Sequence, residues 1–243
     1  MYKILEKMIA RNRDNNGSQP ATIACLGDSV TQGCFELFLT GEEKFDTVRR
    51  PQYSYCTRLG ELLRTVFPDA QLNMINAGIS GDYTSRGLER LDRDVLRFSP
   101  DLVTVCFGLN DCSFGKSFID TYSRNLGEIF DRCLASGADV IFLTPNCMNT
   151  RVMYEPCEVF RNIAKKTCEI QNAGGLADFL DAAKRECVKR NIEVCDCYAI
   201  WDRMAKAGVD VTSLLSNGIN HPTPEMHQIF AYELFRMIMG NGI

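Results

Sequence analysis

The sequence predicts an α/β fold, a three-layer α/β/α sandwich built on a central parallel sheet of about five strands with helices on both faces. Three observations carry this. Short apolar runs alternate with longer stretches of helical spacing from residue 20 to the terminal helix, as repeated strand-helix-strand units require. The run Leu102-Val103-Thr104-Val105-Cys106-Phe107 is apolar on both faces, which suits the middle of a parallel sheet. Polar turns rich in glycine close three of the runs, at the strand end where open α/β sheets bind ligands.

Taken in order, residues 1–19 are an N-terminal extension, with a short amphipathic helix ahead of the turn Asn15-Asn16-Gly17-Ser18. Ile23 to Leu26 is the first strand; Gly27 breaks it and Ser29 follows just past its end. Residues 34–54, mixed in charge, read as an irregular loop insertion that shapes a substrate entrance. Tyr55, Leu59, Leu62, Leu63 and Val66 recur at helical spacing until Phe67-Pro68. Leu72 to Ala77 is the second strand and runs into Gly78-Ile79-Ser80-Gly81-Asp82. Leu88, Leu91, Val95 and Leu96 mark one helix, stopped by Ser99-Pro100. The third strand, 102–107, ends in Gly108-Leu109-Asn110-Asp111, and a helical stripe from Ile119 to Cys133 is closed by Gly137. Val140 to Leu143 is the fourth strand and 146–155 a loop. Residues 157–191 make two helices broken at Gly174-Gly175, and 192–195 the fifth strand. A short helix near 200–206, a loop carrying His221 and a helix from Met226 to Ile238 complete a single domain over 1–243.

Composition removes several classes of function. The net charge is -4, from 27 basic and 31 acidic residues, with no basic run, so nucleic acid is not an expected partner. No stretch has the length of a membrane span, and the first twenty residues lack the apolar core and cleavage site of a signal peptide. Twelve cysteines are many for 243 residues. Cys25, Cys106 and Cys195 fall in strand-like runs, and Cys133 and Cys187 in helical patterns, so they read as buried apolar residues in a cytoplasmic, reducing setting. There is no C-x-x-C pair, and only two histidines, which leaves little to bind zinc.

The polar turns suggest acyl transfer. A serine hydroxyl is a weak nucleophile until a base takes its proton, and histidine is the usual base near neutral pH. Backbone N–H groups or an Asn amide stabilise the oxyanion that develops. Gly27-Asp28-Ser29-Val30, Ser80-Gly81-Asp82, Gly108-x-Asn110-Asp111 and His221-Pro222, each after a strand-like run or loop and in this order, resemble the GDSL, or SGNH, hydrolases from the first strand to the terminal helix. That resemblance implies a flavodoxin-like sheet and ester hydrolysis with no metal or cofactor. It implies Ser29 as nucleophile, His221 as base, and an oxyanion hole from the N–H groups of Ser29 and Gly81 with the Asn110 side chain. The family places an Asp three residues before the histidine; here that position is Gly218, in a loop one residue longer. Asn217, a backbone carbonyl of the same loop or the more distant Asp210 is then left to orient the imidazole.

Ser29 and Asp28 also fit a plain helix cap, and Asn110-Asp111 a plain turn. Asp28 and Asp111 are expected to hold loops through backbone bonds, Gly78 to serve its turn, and His227 to be structural. The leading function is a serine esterase that removes a small acyl group, such as acetyl, from an alcohol or carbohydrate. Lysophospholipase and thioesterase activity stay open. A non-catalytic sugar- or ester-binding protein on the same fold is the alternative of another class. Phosphoryl transfer lacks a P-loop and a carboxylate cluster. The partner expected is a small-molecule ester; no feature marks an oligomer interface.

Overall fold

Leu102–Cys106 is buried along its whole length and forms the middle strand of a five-stranded parallel sheet. A computed structural model describes residues 1–240. Its helices are α1 (Lys3–Arg13), α2 (Ser29–Gln32), α3 (Tyr55–Val66), α4 (Thr84–Glu89), α5 (Leu91–Asp94), α6 (Ile119–Ala135), α7 (Glu158–Asn172), α8 (Gly175–Arg190), α9 (Cys197–Lys206) and α10 (His227–Met239). Its strands are β1 (Ala21–Gly27), β2 (Cys34–Leu39), β3 (Phe45–Arg49), β4 (Leu72–Gly78), β5 (Leu102–Cys106), β6 (Asp139–Leu143) and β7 (Glu193–Cys195). The sheet order is β4-β1-β5-β6-β7. Counting only these five strands in chain order, that is 2-1-3-4-5, the flavodoxin-like arrangement. The order reverses between β1 and β5, so the crevice at their carboxyl ends is where the topology places a ligand.

Helix α3 packs on α10, and α6 on α4 and α8, giving the two outer layers. Ile23, Leu26, Val103, Val105, Phe130 and Phe142 are fully buried between them. The N-terminal extension is not detached: Ile4, Leu5 and Met8 of α1 lie in the same core. All twelve cysteines are free, and all but Cys157 and Cys168 are buried.

Two expectations are corrected. Residues 34–49 are not an irregular loop but an antiparallel hairpin, with Leu37 opposite Thr47, Phe38 opposite Asp46 and Leu39 opposite Phe45. Within Cys34 to Leu39 only Phe35 and Phe38 are strong strand formers, and the charged tip after them hid the pairing. The helix read across 88–96 is broken into α4, α5 and a 3-10 turn at Leu96–Phe98. The break falls at Arg90, which leaves helical geometry (φ -99°, ψ 2°). Its side chain turns under the sheet's end instead of into solvent.

Candidate active site

Gly27 ends β1, and the Asp28 carboxylate caps α2 by accepting from the Val30 N–H at 2.9 Å. This puts Ser29 in the first turn, directly over the crevice. The site is tight. A Cβ on Gly78 would lie 2.2 Å from the Gln32 nitrogen and 2.8 Å from the Asp28 carbonyl, so only glycine lets the end of β4 approach α2 this closely.

The structure brings His221 to Ser29, with Nε2 2.9 Å from Oγ. The other ring nitrogen, Nδ1, is 2.7 Å from the Phe35 carbonyl. A carbonyl only accepts, so Nδ1 carries the proton and donates it. Nε2 is then the lone-pair nitrogen, and the Ser29 hydroxyl donates to it. Ser29 and His221 are each 3 % exposed. Burial pushes the His221 pKa down to about 4, partly opposed by the Phe35 carbonyl and the Glu36 carboxylate.

Phe35 is free to do this because the hairpin is irregular there. Regular pairing is lost between Cys34 and Leu37, a bulge of the kind that re-aims backbone groups. The groups expected to orient the imidazole lie elsewhere. Asn217 Oδ1 accepts from the N–H groups of Ile219, Asn220 and His221 at 3.0, 2.9 and 3.0 Å, and its Nδ2 donates to Asn220 Oδ1. Asn217 therefore shapes the backbone of the histidine loop and does not touch the ring. Asp210 is paired with Arg151 at the surface. The acceptor is a carbonyl, but from the hairpin rather than from the histidine's own loop. A main-chain acceptor has no residue signature, so no sequence signal could have named Phe35.

The loops carrying the oxyanion candidates meet beside Ser29. Ile79 donates its N–H to the Gly27 carbonyl at 3.2 Å, and Asn110 Nδ2 donates to the Asp82 carbonyl at 2.7 Å. That bond uses one of the two amide hydrogens and fixes the Asn110 side chain against the Gly81–Asp82 loop. Among the described residues no acceptor takes the N–H of Ser29 or Gly81. Gly81 has φ +77°, and a Cβ added there would meet nothing within 4 Å, so its backbone conformation, not crowding, demands glycine.

Beneath these loops lies a charged frame of the motif carboxylates Asp28, Asp82 and Asp111 together with Arg90, a residue outside the sequence motifs. Arg90, 6 % exposed, donates to Asp82 Oδ2 at 2.6 Å, to the Ala77 carbonyl at 2.6 Å and to the Gly27 carbonyl at 2.9 Å. One side chain thus ties the ends of β1 and β4 to the Gly81 loop. Asp111 Oδ1 accepts from the Thr84 N–H and hydroxyl at 2.9 and 2.6 Å, joining the Asn110 loop to α4. Asp28 and Asp111 hold loops as expected, and each keeps one buried oxygen without a partner among the described residues. Burial, with the neighbouring Asp111 and Asp82, pushes Asp28 up to about 7; burial pushes Asp111 up to about 6. No sequence signal singles Arg90 out: helical spacing puts it on the polar face of the 88–96 stripe, together with Arg86, Arg93 and Arg97.

His227 is fully buried, and its Nδ1 accepts from the Tyr55 N–H at 3.1 Å, a packing role between α10 and α3. Near the histidine loop, a cleft of 210 Å³ is bordered by Met153, Tyr154, Phe160 and Ala164. Phe45 at the hairpin tip meets Phe160 edge-on, centroids 6.0 Å apart, so the 34–49 and 153–160 segments form one rim. Among the described residues no group of three or more His, Cys, Asp or Glu could hold a metal ion, and no helix is long and apolar enough to cross a membrane.

Residues 25–229 match the model of the GDSL-like lipase/acylhydrolase family. An acetylxylan esterase from Geobacillus stearothermophilus is 34% identical over 232 residues, spanning 88% of this chain and 91% of that protein. Among solved structures, the lipase/acylhydrolase from Enterococcus faecalis superposes with a TM-score of 0.66 at 22% identity, covering 91% of this chain and 96% of the other. The crystal structure of Axe2, an acetylxylan esterase from Geobacillus stearothermophilus, does so with a TM-score of 0.66 at 20% identity, covering 90% and 94%; at that identity both likenesses speak to the fold. Matched by the family's model over residues 25–229 and 34% identical to an acetylxylan esterase, the chain belongs to the GDSL-like lipase/acylhydrolases and is a carboxylic ester hydrolase.

Proposed function

We propose that the protein is a serine esterase that removes small acyl groups, acetyl foremost, from a carbohydrate or similar alcohol. The observation that carries this reading is the Ser29, His221 and Phe35 relay, with Oγ to Nε2 at 2.9 Å and Nδ1 to the carbonyl at 2.7 Å. The choice of acyl group leans on the 34% identical acetylxylan esterase.

In the mechanism, His221 Nε2 takes the proton of Ser29 as Oγ bonds to the ester carbon. The carbonyl oxygen becomes an oxyanion, which in this reading accepts from the N–H groups of Ser29 and Gly81 and from the second Asn110 amide hydrogen. Collapse breaks the bond to the alcohol, which leaves with the proton from the imidazolium. Water then repeats the sequence on the acyl-enzyme and releases the acid. Near-complete burial of Ser29 and His221 strengthens each of these interactions by excluding water.

The test is hydrolysis of p-nitrophenyl acetate, butyrate and octanoate, then of acetylated xylo-oligosaccharide, by wild-type and Ser29→Ala protein in the presence of a chelator. Loss of all turnover in folded Ser29→Ala, with acetate preferred by the wild type, is the expected result. Asn110→Ala should lower kcat by about a hundredfold or more. A folded wild type inactive on every ester would sink the reading in favour of a binding protein.

A further inference from the structure

The Phe35 carbonyl stands at an unsupported point of the hairpin. A bulged residue has lost its ladder partners, yet its carbonyl must stay within hydrogen-bonding reach of the base. One side chain grips both bulge residues. Arg50 lies with its guanidinium carbon 4.8 Å from the centroid of the Phe35 ring, close enough for a cation–π contact. Its Nη2 is 2.6 Å from Glu36 Oε2. Its own N–H donates to the Gly33 carbonyl at 2.8 Å, which fastens the segment just before the bulge.

We infer that Arg50 is the positioning residue of the catalytic base: it holds the Phe35 carbonyl on His221 Nδ1 and, through its ion pair with Glu36, sets the charge felt by the imidazole. This rests on the esterase reading above. Most serine hydrolase relays end in a carboxylate whose charge stabilises the imidazolium. Here the acceptor is neutral, and the nearby carboxylate, Glu36, is shared with a guanidinium. The charged and titratable groups around His221 are Glu36 and Arg50 from the hairpin, Asp28 beside Ser29, and His227 from α10 with Arg58 of α3 behind it.

The experiment compares wild-type, Arg50→Met, Arg50→Lys and Glu36→Gln proteins on p-nitrophenyl acetate, with kcat, KM and the acid limb of kcat/KM recorded for each and folding checked by thermal melting. Arg50→Met should lower kcat by about tenfold to a hundredfold, the scale of a small misplacement of a catalytic group, with KM within about twofold. Arg50→Lys should not restore it, because an ammonium lacks the planar fork that stacks and pairs at once. The acid limb should move in opposite directions: up in pH for Arg50→Met, which leaves Glu36 unneutralised, and down for Glu36→Gln. A merely structural role would lower activity at every pH and leave the limb in place. An active wild type with unchanged kcat and an unmoved limb in both variants overturns the inference and leaves the esterase reading intact; an inactive wild type overturns both.

Discussion

The ionisation of His221, the proposed base, is governed by how completely it is covered. Its pKa of about 4 lies well below the histidine value of about 6.5, and the neutral ring is the form that can accept the serine proton. Esterase activity should therefore persist as pH falls through 6 and disappear only near pH 4. The acid limb of kcat/KM, which reports the free enzyme, measures this. A limb near 6 to 7 would mean that the ring is hydrated and not enclosed. The linkage sign agrees: the unfolded chain takes up protons that the buried ring refuses, so the fold loses stability as pH drops from about 6.5 toward 4. At this scale the sequence was legible for which positions the fold brings together. Ser29, Gly81, Asn110 and His221 stand on four turns, and the topology gathers those turns at one edge. It was illegible for Phe35, whose contribution is a carbonyl common to all residues, and it misled at Asn217, where proximity in sequence to the histidine stood in for contact with its ring.

Elements were readable where periodicity was strong. The five strands of the sheet, and helices such as α3, α6, α7 and α8, fall close to where their apolar spacing puts them. The failures have physical causes. The hairpin pairs residues whose charged tip broke the alternation, and the helix near 88–96 is interrupted because Arg90 gains three buried acceptors by leaving it. That exchange makes Arg90 the strongest structural dependence of the crevice. Arg90→Met should cost about 3–5 kcal/mol in chemical denaturation, because it strands the Asp82 carboxylate without its partner in a buried setting. The Gly27 and Ala77 carbonyls lose a donor as well. A loss below about 1 kcal/mol would show that water replaces the guanidinium.

Over the whole molecule, the 2-1-3-4-5 sheet order leaves one crevice at the reversal between β1 and β5, and the chemistry collects there. Ser29, the proposed nucleophile, comes from the turn after β1, and the proposed oxyanion donors Gly81 and Asn110 from those after β4 and β5. The histidine arrives from the far end of the chain, in the loop before α10. These parts share the main core. The hairpin does not share it to the same degree: Phe38, Leu39 and Phe45 are 44 to 46 % exposed, and among the described residues β2 and β3 pair only with each other.

The bulged hairpin therefore divides the protein into two cooperative units of unequal strength. A segment with few buried contacts can open while the rest stays native, and here that segment carries the Phe35 carbonyl bonded to His221 Nδ1. In rising urea, esterase turnover should fade before the circular dichroism of the sheet changes, and amide exchange at residues 35–49 should be faster than in β5 at every concentration. Coincident loss of activity and structure would mean that the ribbon is as firmly held as the core.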